Sequence, residues 1–69
     1  MTKEEIYQHN KKIITKAMVA LVEMGMADPI RLVTDTDYAS EMVNTYLDAA
    51  NITREILHMP KLYLIQAID

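Results

Sequence analysis

Glu55-Ile56-Leu57-His58 sets a carboxylate and an imidazole three residues apart. On one helix face, that spacing holds iron or manganese in carboxylate-bridged bundles. Glu5 and His9, four residues apart, form a second pair of related kind. A complete site of this type needs two Glu-x-x-His units and two further glutamates facing one another. The second unit is missing, so the sequence predicts no metal and no cofactor. Asp35-x-Asp37, with Asp28 and Glu41 nearby, carries the acids of a calcium loop. An EF-hand needs a glycine at its sixth position and a glutamate at its twelfth. Ser40 and Tyr46 stand there instead, and capping of a following helix accounts for the two aspartates.

Nucleophilic chemistry has no better footing. The chain has no cysteine and no glycine-rich phosphate loop, and Ser40 is its lone serine, beside Glu41 with no histidine at a matching spacing. The sequence therefore predicts a protein that is not an enzyme. Tyr46 to Ile68 can be drawn as a helix-turn-helix with its turn at Asn51-Ile52. That reading supplies the alternative function, a small DNA-binding regulator using residues 46–68. It has little to work with: Arg54, His58 and Lys61 follow the turn, Pro60 interrupts the second helix, and the turn lacks glycine. The net charge of −3 removes the electrostatic footprint of nucleic-acid binders. Lys11, Lys12 and Lys16 read as a solvated helix face.

The elements that must position any site are helical. Thr2 and Glu5 form a capping box, with acids in the first turn. From there Ile6, Ile13, Ile14, Ala17, Met18, Leu21 and Met24 recur at the spacing of one helix face. Gly25 and Pro29 end the run, which predicts a first helix over about 3–25. Asp28-Pro29 can start another element. Residues 30–34 fit either a short helix or a short strand. Asp35 and its neighbours then open a second long helix, about 36–58, whose stripe is Ala39, Met42, Val43, Tyr46, Leu47, Ala50 and Leu57. Asn51-Ile52-Thr53 is its weak point, where a break is possible. Asn10 sits in line with the apolar stripe of the first helix, placed either to fix the register of paired helices or to lie at a rim. Beyond Pro60, K-L-Y-L-I-Q fits a strand, while Ile65 and Ile68 with Leu62 or Leu64 fit a helix.

Size turns this pattern into an argument about partners. The chain has 69 residues, 51% of them apolar, with six Met and no Phe or Trp. A single core of that size gives only about 3–5 kcal/mol of net stability, and no disulfide can supplement it. Between Ala17 and Ala27 the sequence A-M-V-A-L-V-E-M-G-M-A has Glu23 as its one charge. A surface helix shows water a polar face, and this run has almost none. A helix of about 23 residues is about 35 Å long, against a radius of gyration near 11 Å for a compact globule of this length. The expected architecture is a single all-α domain over 1–69: an elongated helical hairpin with a short C-terminal element, completed by oligomerisation. Met18, Leu21, Val22, Met24 and Met26 are the expected self-association residues. Asp28, Asp35, Asp37, Tyr38, Glu41 and Asp48 are the expected partner-binding surface, with acids to steer a basic protein and a tyrosine to anchor it. The function expected is non-enzymatic: a protein–protein interaction module, or small regulator or inhibitor, acting as a homo-oligomer. The 17–27 run is too short to cross a membrane, the N-terminus lacks a signal-peptide layout, and no cysteine is present, so a cytoplasmic location without membrane contact is expected.

Overall fold

The computed structural model describes residues 1–66, which form three helices. The first, α1 (Lys3–Glu23), opens with the capping box: the Glu5 N–H donates to Thr2 Oγ1 and the Thr2 N–H donates to Glu5 Oε1, both at 3.1 Å. It closes with a paired turn in which Met26 N–H donates to the Leu21 carbonyl and Gly25 N–H to that of Val22. This geometry needs a left-handed residue, and Gly25 takes φ +69° without steric cost. Residues 30–34 are helix, not strand: α2 (Pro29–Thr34) begins at Asp28, whose Oδ1 accepts from Ile30 N–H at 2.9 Å, with proline at its first position. Asp35 then caps α3 (Thr36–Ile56) by accepting from Tyr38 N–H at 3.1 Å.

α3 does not break at Asn51. The helix runs through Asn51-Ile52-Thr53 and ends at a second paired turn, in which Met59 N–H donates to the Arg54 carbonyl and His58 N–H to that of Glu55. The left-handed position here is taken by His58, at φ +56°. From Met59 to Gln66 the chain has neither helix nor strand, so neither reading of residues 61–66 holds. Ile68 lies outside the described residues.

The two long helices meet at their middles. Ile13 and Ala17 of α1 pack on Val43 and Leu47 of α3, and Ala17 is fully buried at the contact. Two helices of 21 residues are each about 31 Å long. The molecule measures 34 × 32 × 15 Å, a flat plate with two sides close to a helix length. Side-by-side helices would give one long dimension, so the axes cross steeply. The helices are the expected ones and the described chain is all-α; the elongated outline expected from sequence is not seen, the molecule being as wide as it is long, and Ala17 allows a close contact at one point. Leu21 and Leu32 complete the buried set, while Met24 and Leu57, the last members of the two stripes, are exposed.

Candidate functional site

A crossing of two helices leaves four sectors, and the chain covers two of them itself. α2 stands over the sector between the C-terminal half of α1 and the start of α3, leaving a groove of about 300 Å³ lined by Met18, Val19 and Val22 on one side and Pro29, Leu32 and Val33 on the other. Opposite it, the segment after Pro60 returns from the end of α3 to the first half of α1. The other two sectors are left as grooves as well. The larger, about 510 Å³, lies between the C-terminal halves of α1 and α3. Leu21, Met24 and Met26 form one wall; Met42, Tyr46, Ala50 and Met59 form the other. The smaller, about 250 Å³, includes Ile14, Met18, Val43 and Leu64. Flexible thioether chains dominate the larger groove, and methionine surfaces adapt to varied apolar partners.

The five residues expected to drive self-association are split by the crossing. Leu21 is buried inside the chain. Met18 is half-buried and Val22 faces the α2 side. Met24 and Met26, 55% and 62% exposed, remain on the open groove. Sequence spacing missed Met42 and Met59 as members of that groove. Met42 belongs to the α3 stripe, but the position of Met59 depends on the turn at His58.

The acidic set also divides by role. Asp28 and Asp35 are the caps of α2 and α3. The Tyr38 N–H and the Arg31 guanidinium, 3.4 Å away, hold the Asp35 carboxyl below the ordinary aspartate range. Bonding to Thr2 lowers the Glu5 carboxyl in the same way. Tyr38 is half-buried: its hydroxyl accepts from Asp28 N–H at 3.0 Å, and Arg31 lies 4.0 Å from its ring centre. Asp37, Glu41 and Asp48 are exposed on α3 at positions i, i+4 and i+11, which one helix face brings into line.

The chemistry-bearing pairs are engaged otherwise. His58 sits past the end of α3 in the left-handed turn, so Glu55 and His58 do not share a helix face. Glu5 is bonded to Thr2, and His9 Nε2 donates to the Tyr63 carbonyl at 2.9 Å. No three histidine, aspartate or glutamate side chains cluster among the described residues. The helix-turn-helix drawn over 46–68 is corrected across its described part: α3 continues through the supposed turn, and no helix follows Pro60 up to Gln66. Lys11, Lys12 and Lys16 share an exposed face of α1 with Gln8 and Thr15. No described helix is long and apolar enough to cross a membrane.

Asn51 and Asn10 have a role that composition did not suggest. Asn51 Nδ2 donates to the Leu62 carbonyl and its Oδ1 accepts from Leu62 N–H, both at 2.7 Å. Asn10 makes the same pair of bonds with Ile65, both at 2.8 Å. One planar amide therefore satisfies both backbone groups of one residue, twice. Asn10 fixes no register between helices; it holds the returning segment. Against known protein families, curated proteins and solved structures, the chain finds no match.

Proposed function

We propose that this protein is a non-enzymatic protein-binding module that acts as a homo-oligomer, in the manner of a small regulator or inhibitor. One observation carries the reading. The chain exposes 5434 Å² at a mass of 7.9 kDa, whereas a folded monomer of that mass exposes about 4,400 Å². The surplus, roughly 1,000 Å², is what one partner contributes to an interface of standard size, about 800 Å². Apolar side chains make up much of it: Met24, Met26, Ile30 and Val33 are all more than half exposed. The methionine-lined groove is the surface a second copy covers. The exposed row Asp37, Glu41 and Asp48 then remains for a basic surface on a different protein. The cysteine-free composition suits the reducing cytoplasm, where we place the protein.

Sedimentation equilibrium at tens of micromolar tests the self-association. A dimer or higher species is expected for the native chain, and a monomer for Met24→Lys and Met26→Lys with helicity unchanged. A native chain that sediments as a monomer at that concentration overturns the reading.

A further inference from the structure

The segment Pro60–Gln66 is held in the manner of a bound peptide. Six hydrogen bonds reach it from the helices, and every one goes to its backbone. Two come from Asn51 to Leu62 and two from Asn10 to Ile65. His9 Nε2 donates to the Tyr63 carbonyl at 2.9 Å, and Arg54 Nη1 donates to the Pro60 carbonyl at 3.1 Å. A residue that turns its own N–H and C=O to one amide presents both on the same side, as a paired strand residue does. The receptor thus reads extended backbone, and Leu62 adds a side chain packed on Ile13, Ala17, Val43 and Leu47.

The connection to this segment is short and strained. Between the end of α3 and Pro60 lie Leu57, His58 and Met59, with His58 at φ +56°. A left-handed conformation is uncommon for any residue but glycine and costs an L-residue such as histidine conformational energy, though histidine adopts it more readily than most. Opening the turn relieves that strain and swings the segment away from its own helices. A second copy offers the same Asn10 and Asn51, so all six bonds re-form between chains. Strained short hinges favour this kind of exchange. Met59 lies in the hinge and also lines the open groove, so an exchanged arm leaves alongside the groove that a second copy is proposed to cover.

We propose that two copies of this chain exchange their C-terminal arms, each placing Leu62 and Ile65 on Asn51 and Asn10 of the other. This rests on the self-association proposed above and specifies how the two chains are joined.

The native chain has no cysteine, so introduced ones report cleanly. The rings of His9 and Tyr63 lie 5.1 Å apart, which makes His9→Cys with Tyr63→Cys a suitable pair for a short bis-maleimide. Sedimentation equilibrium and a denaturing gel are run on the same full-length sample. A dimer in solution with a covalent dimer on the gel is expected. A dimer in solution with only internally linked single chains overturns the exchange and leaves the self-association standing. A monomer in solution for the native chain as well as for this variant overturns both. A second variant, His58→Gly, keeps the clamps and relieves the hinge. It is expected to weaken the dimer by roughly fivefold for each of the two hinges. An unchanged dissociation constant overturns the exchange.

Discussion

The Tyr38 hydroxyl accepts a hydrogen bond from the backbone N–H of Asp28 at 3.0 Å. The residue that caps α2 is thereby tied to the first turns of α3. Arg31 lies over the same ring and reaches Asp35, the cap of α3. The α2–α3 corner is a small closed set of contacts, and Tyr38 is its centre. Tyr38→Phe removes one exposed hydrogen bond and should cost about 0.5–1 kcal/mol. Tyr38→Ala also removes the ring that packs there and should cost about 2–3 kcal/mol. Urea unfolding of the two variants checks the difference; equal effects would show that the ring is not what closes the corner.

Acid should loosen two helix starts before the rest. The Asp35 and Glu5 carboxyls are both depressed in the folded chain, chiefly by hydrogen bonds to Tyr38 N–H and to Thr2 respectively. A depressed folded value means that the folded state gives up the proton more readily. The stabilisation is therefore complete above the unfolded values, 3.8 for Asp and 4.5 for Glu, and is lost as pH falls below them through the folded ones. Following the two carboxyls by NMR titration should place both midpoints below those of an unfolded peptide. Thr2→Ala should cost about 1 kcal/mol and bring Glu5 only part of the way back, because the backbone N–H at position 2, the larger cause, still donates to its carboxylate.

Asn51→Leu and Asn10→Ala should each release one end of the returning segment. Each substitution removes two hydrogen bonds to half-buried backbone, a loss of about 1–3 kcal/mol. Amide exchange is the sharper measurement. The Leu62 N–H should lose protection in the Asn51 variant and the Ile65 N–H in the Asn10 variant, with α1 and α3 protected as before. Asn51→Asp keeps the acceptor but loses the donor, and should lie between the native chain and Asn51→Leu.

Stability should depend on protein concentration. A small core with a surplus of exposed apolar surface gains stability by mass action when copies associate. A melting temperature that rises over a hundredfold increase in concentration for the native chain, but not for Met26→Lys, is the expected pattern. Equal dependence in both chains would move the contact away from the groove.

Local chemistry determined much of this protein in advance. Thr2 with Glu5, Asp28 with Pro29, Asp35 and Gly25 announce helix starts and stops through bonds made within a few residues, and all of them act as read. The three-and-four spacing placed Ile13, Ala17, Leu21, Val43 and Leu47 inside, because a helix carries its periodicity whatever it packs against. The break feared at Asn51 did not occur. Low helix propensity costs tenths of a kcal/mol, and the two bonds from Asn51 to Leu62 outweigh it. The angle between α1 and α3 was decided only in three dimensions. It depends on how closely Ala17 lets two backbones approach, and no stripe of residues records that. The roles of Asn10 and Asn51 were equally hidden, since their partners lie 55 and 11 residues away and are backbone groups, which every residue carries.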